Sequence, residues 1–252
     1  VSGMKTLPLI ISVKAKNWRG TDPESGGADA EFQMVKPQVR ARDNDSCRFC
    51  GFRSPKGGYY MQVHHRNDDH SDNRPDNLVT TCMHCHAVHH IGFWGQDRGA
   101  GREASIIYLP EISQAHLSHL CRTILVARRY CEKVVADPKE MEDRKQSARQ
   151  IAESAEVLMD RFRSREALAE ARLGSSDPVD LANALLKLND EDYERRIESL
   201  SPYRLLLLGP HCKERGTDMM PQIVDDWLGP GGPYGNIKPA VWKNLVQNLH
   251  QH

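Results

Sequence analysis

The segment Cys47-Arg48-Phe49-Cys50 and the segment Cys82-Met83-His84-Cys85-His86, thirty-one residues further on, decide how this chain is read. Two Cys-x-x-Cys pairs can supply four thiolates to one closed tetrahedral site, the arrangement Zn²⁺ takes in a structural role. Gly51 directly after Cys50 suits the tight turn of such a knuckle, because glycine adopts positive φ without a steric penalty. Four buried free cysteines or two disulfides are the alternatives, and the paired spacing favours zinc over both. Between and just beyond the pairs lie seven of the chain's twelve histidines: 64, 65, 70, 84, 86, 89 and 90.

Working outward, Tyr59-Tyr60-Met61-Gln62-Val63 is β-prone and leads into His64-His65. Residues 67–76 are almost wholly polar and turn-forming, which predicts a loop containing His70. Asn77-Leu78-Val79-Thr80-Thr81 returns as a strand to the second pair. His86, His89 and His90 share a face if residues 85–91 are helical. Two strands and a helix with converging imidazoles make a pocket for a catalytic metal ion. His84 and His89 stand outside the pattern and are expected to be exposed.

His64-His65, Asn77-Leu78 and Cys82-x-x-Cys85-His86-x-x-x-His90 resemble the HNH nuclease motif on its ββα-metal fold, in the variant closed by four cysteines. The resemblance implies His65 as general base, Asn77 as a brace of the loop, and His64, His86 and His90 as ligands of a divalent ion, Mg²⁺ or Mn²⁺. It counts His65, Asn77 and His86 as the catalytic set. The chemistry is coherent, since phosphodiester hydrolysis needs a base titrating near neutrality and a cation beside the phosphate.

A second resemblance runs from residue 7 to residue 228. Trp18, Arg42-Asp43-x-x-x-Cys47-x-Phe49-Cys50-Gly51-Phe52, Asn77-Leu78-Val79-Thr80, Ile107-Tyr108-Leu109-Pro110-Glu111 and Gly174-x-Ser176-Asp177-Pro178 are similar to the IcmJ/DotN family. That likeness implies a soluble cytoplasmic component of a type IVB secretion apparatus, with a coupling ATPase and other coupling-complex proteins as partners. It also implies a structural and docking role, because that family keeps the cysteines and lacks the histidine pair. This sequence retains His64, His65, Asn77, His86 and His90, which keeps DNA cleavage as the rival reading.

Composition sets the outer bounds. The chain has 252 residues, 39% of them hydrophobic and 27% charged, as expected of a globular protein with a real core. No run approaches the ~18 apolar residues that span a bilayer, and the first residues lack a signal-peptide pattern, so membrane insertion is not expected. Cys121, Cys131 and Cys212 remain as reduced thiols, which favours the cytoplasm. Basic and acidic residues balance at 34 each, without the basic surplus of a dedicated DNA-binding protein.

The expected architecture is α+β, a zinc-stapled ββα module followed by a helical region, divided as residues 1–110, 111–228 and 229–252. Residues 7–13 read as a strand, residues 17–30 as a loop, and Pro37 argues against an unbroken helix over 31–42. Residues 105–109 read as a strand and Ser113 as the start of a long helix closed by Pro138. Residues 139–172 read as one amphipathic helix ended by Gly174, with Asp177-Pro178 capping the next and 190–200 forming another. Residues 203–208 fit either a buried strand or a helix, and short helices are expected at 221–228 and 241–249.

Overall fold

The computed structural model describes residues 6–13, 25–54, 60–67, 69, 71–93, 103–208, 213–214 and 217–236. Trp18, Tyr59, His70, Cys212 and the helix expected at 241–249 lie outside them. The fold is mixed α and β, with the four cysteines clustered at the N-terminal β region and helices following.

The module begins with α1 (Ser25–Arg42), then β1 (Met61–His65), β2 (Leu78–Cys82) and α2 (Met83–His89). β1 and β2 pair antiparallel with Met61 opposite Cys82 and His65 opposite Leu78. Two expectations are corrected here. The region read as a loop already contains the start of α1, and the helix continues through Pro37. An interior proline costs one helical hydrogen bond. Phe32 and Val39, buried on Val63 and Leu78, hold the helix on the hairpin across that gap. The helix stops where Asn44 and Asp45 take φ of 53° and 48°, a conformation their short polar side chains tolerate.

Residues 7–13 do not form a strand. The Leu7 N–H donates to Arg48 O, Ser12 N–H to Val88 O and Ile91 N–H to Ser12 O. Its backbone bonds thus go to a knuckle and to the end of a helix, and no strand edge is offered to it.

Downstream, β3 (Ala104–Tyr108) is followed by α3 (Gln114–Ala136), α4 (Glu142–Arg163), α5 (Glu166–Leu173), α6 (Pro178–Leu185), α7 (Asp190–Glu194) and α8 (Arg196–Ser199). β4 (Tyr203–Leu207) returns to pair antiparallel with β3, which settles the apolar run as a strand. Two short strands, β5 (Lys213–Glu214) and β6 (Thr217–Asp218), precede α9 (Met220–Leu228). Ser113 caps α3 by accepting from the His116 N–H, and Asp177 caps α6 through the Val179 N–H. Gly174 ends α5 at φ 81°, a left-handed cap that favours glycine.

The single helix read over 139–172 breaks at Ser164-Arg165. At the break the Arg165 carbonyl accepts from the Tyr108 N–H as well as from the Ala169 N–H of α5, while Ser176 O accepts from Ile106 N–H. The second edge of β3 is thereby satisfied, as a buried strand requires. Likewise the helix read over 190–200 is two short pieces, α7 and α8.

α3 is the spine. Its Leu117, Cys121 and Ile124 join Ala155, Met159 and Phe162 of α4 and Ile107 and Leu206 of the β3–β4 pair. Its Val126, Ala127, Cys131 and Val134 pack with Ala148 and Ile151 and with the cysteine module. The start of α3 thus meets the end of α4, so the two run antiparallel. α9 completes the packing, with Trp227 1% exposed, edge-on to Tyr60 at 4.6 Å and donating Nε1–H to Ser54 Oγ.

Candidate metal centres

The first knuckle is a tight loop in which the Gly51 N–H donates to Cys47 O and the Cys47 N–H to Phe52 O, with Gly51 at φ 74°. The second knuckle is the junction of β2 and α2, so Cys82 ends a strand and Cys85 lies in the first turn of a helix. The four sulfurs of Cys47, Cys50, Cys82 and Cys85 lie within 4.8 Å of one another, and Cys50 and Cys82 stand 3.7 Å apart. A tetrahedron with ~2.3 Å metal–sulfur bonds has an edge of about 3.8 Å, so the cluster fits structural zinc.

Charge around the knot comes from α3. Arg122 is 0% exposed, and its guanidinium donates to Cys82 Sγ at 3.3 Å and Cys50 Sγ at 3.5 Å. His119 Nε2 donates to Cys50 O at 2.8 Å. Sequence reading missed both residues. They sit more than thirty positions from Cys85, the nearest knuckle cysteine, and only the helical stripe beside them pointed to burial.

The second cluster forms because a strand alternates its side chains. His64 faces α2, where its ring lies 5.3 Å from that of His86 and 5.6 Å from that of His90. One ring nitrogen from each of His64, His86 and His90 falls within 4.8 Å of the others. His86 and His90 are four residues apart, and their Nε2 atoms approach to 3.0 Å. Two imidazole nitrogens so close must share a proton or a cation, and ~2.0–2.1 Å metal–nitrogen bonds give adjacent ligands about this separation. Gln62, two residues before His64 and so on the same strand face, accepts from His86 Nδ1–H, which leaves His86 Nε2 its lone pair.

Burial, with the neighbouring imidazoles second, pushes the His64 pKa well below the ordinary histidine value and keeps the ring neutral, as a metal ligand must be. His89 is stacked on His64 at 4.3 Å and against Phe49 at 4.7 Å. Burial first, and then His90 and Arg196, press its pKa down to about 3. His84 is 1% exposed and meets Tyr60 Oη through Nδ1 at 2.6 Å. The expectation that His84 and His89 are exposed is therefore corrected: both are packed into the module's wall.

His65 turns to the opposite face of β1, toward α1. It is 3% exposed, stacks on Phe32 at 5.0 Å, and brings Nε2 within 2.9 Å of Asn73 Oδ1. Asn73 Nδ2 donates to the Glu31 carboxylate at 3.2 Å, which orients the amide and requires a proton on His65 Nε2. In the neutral ring, Nδ1 is then the atom with the lone pair. Asn77 spans the loop, accepting from the Asn67 N–H and donating to Asn67 Oδ1 and Asp72 O. The structure thus gathers His64, His86 and His90 into one centre, places His65 across the strand from it, and sets Asn77 as a loop brace.

Two comparisons with known proteins bear on the module. Residues 51–81, the span between the two cysteine pairs, match the HNH endonuclease family. The chain is 33% identical over 102 residues to the Type 4 apparatus protein DotN of Legionella pneumophila. That alignment covers 39% of this chain and 44% of the relative, so it spans less than half of the curated protein it matches. The chain is thus similar to DotN and carries an HNH-type motif on a zinc-type cysteine cluster.

Proposed function

We propose that the protein is a type IV apparatus component whose zinc-stapled module holds a working phosphodiesterase centre. The observation that carries this reading is the convergence of the His64, His86 and His90 ring nitrogens within 4.8 Å. Three protein ligands leave a coordination position open for water or phosphate, which distinguishes a catalytic site from the closed four-thiolate one. A bound cation would stabilise charge on the phosphate and the leaving oxygen. In this reading His65 Nδ1 accepts the proton of the attacking water, Asn73 and Glu31 keep that tautomer, and Asn77 holds the loop that carries Asn73.

The HNH resemblance points to Mg²⁺ or Mn²⁺, whereas a set of three imidazoles without a carboxylate suits Zn²⁺, Ni²⁺ or Co²⁺ better than Mg²⁺. DNA is the substrate this reading assigns, and residues 1–110 carry the chemistry. Residues 111–228 offer the docking faces for a coupling ATPase and its associated proteins, at the cytoplasmic side of a secretion complex. No helix among the described residues is long and apolar enough to cross a membrane, which is compatible with that placement.

A second reading, an inactive docking scaffold, draws on one observation. His65 lies 3% exposed beneath Phe32, and substrate must displace that ring to reach it. Nicking of supercoiled plasmid in Mg²⁺, Mn²⁺ or Ni²⁺, beside a zinc-checked His65→Ala protein, decides between the two. Metal-dependent nicking that falls at least about 100-fold in the variant, the scale of a lost general base, supports the enzyme. Equal absence of nicking in two zinc-loaded proteins supports the scaffold.

A further inference from the structure

Arg122 is a buried arginine with no carboxylate partner among the described residues. Its guanidinium donates to two sulfurs, at 3.3 Å and 3.5 Å, and to Tyr60 Oη at 3.4 Å, and it lies 4.4 Å above the Phe52 ring. With Tyr60's own proton directed to His84 Nδ1, 2.6 Å away, its oxygen is left to accept from Arg122. These contacts of the cation are with the inner wall of the cysteine module, and the Tyr234 hydroxyl is a further hydrogen-bonding neighbour.

An arginine cannot shed its proton inside a protein, so burial without an anion strands its charge. Four thiolates around one Zn²⁺ carry a net charge of −2, and among the described residues that complex is the one anion within reach of the guanidinium. The need runs both ways, because a buried dianion is stabilised only by donors and positive charge close to its sulfurs. Four protonated thiols would offer Arg122 no such partner.

We propose that Arg122 is the internal counter-ion of the zinc–tetrathiolate complex, and that seating of α3 on the module is thereby conditional on the metal. The inference rests on zinc at the four cysteines. α3 also packs on α4 and on the β3–β4 pair, so Arg122 transmits the metal state of the knuckles to the helical region. Reciprocity follows from linkage: whatever Arg122 adds to zinc affinity, zinc adds to the seating of Arg122.

The test compares wild type with Arg122→Met, which fills similar space without charge. Zinc affinity, measured by competition with a chromophoric chelator, is expected to fall about 10–100-fold in the variant, the scale of a lost outer-shell partner. Thermal midpoints should cross: the zinc-loaded variant melts below zinc-loaded wild type, and the zinc-free variant melts above zinc-free wild type. Affinity within twofold of wild type, or midpoints lowered equally with and without zinc, would overturn the proposal. Arg122→Lys, which keeps the charge and loses the planar fork, covers a Met variant that does not fold. It should keep zinc affinity within about tenfold of wild type, and a loss beyond about 100-fold would overturn the proposal again. Purified wild type without zinc would remove the metal reading itself, a separate result seen before any variant is made.

Discussion

The two candidate metal centres sit side by side on one ββα unit and are built on opposite plans. The cysteine centre is closed: four ligands from two turns, three of them buried, with Arg122 neutralising from behind. The histidine centre is open: three candidate ligands, of which only His64 is buried, while His86 and His90 are half-exposed at the end of α2. A fold that needs metal for stability saturates its coordination sphere, and a fold that needs metal for chemistry leaves a position free. Their shared part is α2: Cys85 in its first turn, after Cys82 at the end of β2, completes the closed centre, and His86 and His90 join His64 of β1 in the open one. The closed centre therefore holds the open one in register.

Breaking the closed centre should have the largest effect. Cys82→Ser removes the ligand at the strand–helix junction, and structural zinc sites carry binding energies of roughly 10–16 kcal/mol at neutral pH. The expected outcome is loss of zinc by elemental analysis together with loss of the module's cooperative thermal transition. A zinc-free variant that melts like wild type would show that the knot is not what staples the fold.

Next comes the packing behind the knot. Trp227 of α9 is buried against Phe52 and Tyr60, with ring centroids at 5.2 Å and 4.6 Å. Trp227→Ala should cost about 3–5 kcal/mol in denaturant unfolding, as large aromatic truncations do. Zinc should still bind, because no ligand is touched.

A smaller effect is expected at the seam between the first knuckle and β2. Asp43, 1% exposed, accepts from the Thr80 N–H of β2 and from Arg42, and pairs with Arg48 of the first knuckle. Burial pushes its carboxyl up, but the hydrogen bonds from Arg42 and Thr80 outweigh that and hold it below the ordinary value. A depressed carboxylate stabilises the fold fully above its unfolded pKa, about 4, and this is lost as pH falls below that. The urea midpoint of wild type should therefore drop more steeply below pH 4 than that of Asp43→Asn. Parallel curves would remove Asp43 from the seam.

These contrasts also show what the chain discloses unaided. Ligand spacing is local, so Cys47, Cys50, Cys82 and Cys85, the strand pair and the caps at Ser113, Asp177 and Gly174 were legible. Three kinds of feature were not. The continuity of α1 through Pro37 depends on Phe32 and Val39 finding Val63 and Leu78. The breaks at Ser164-Arg165 and between α7 and α8 are set by tertiary partners and local turns, the first by the open edge of β3. The burial of His84 and the half-burial of His89 come from aromatic neighbours, Tyr60 and Phe49, whose proximity no periodicity reports. Gln62 is the exception, since strand alternation places it with His64.

The most direct test of the two-plan account is a metal count on purified protein before and after mild chelation, read beside His90→Ala. Cobalt substitution distinguishes the sites, because only the cysteine centre gives thiolate-to-cobalt charge-transfer bands. The account predicts one tightly held metal ion with a thiolate signature and a second, exchangeable one with an imidazole signature that disappears in His90→Ala while the fold persists. A single thiolate-bound ion in wild type, with no refillable second site, would contradict it.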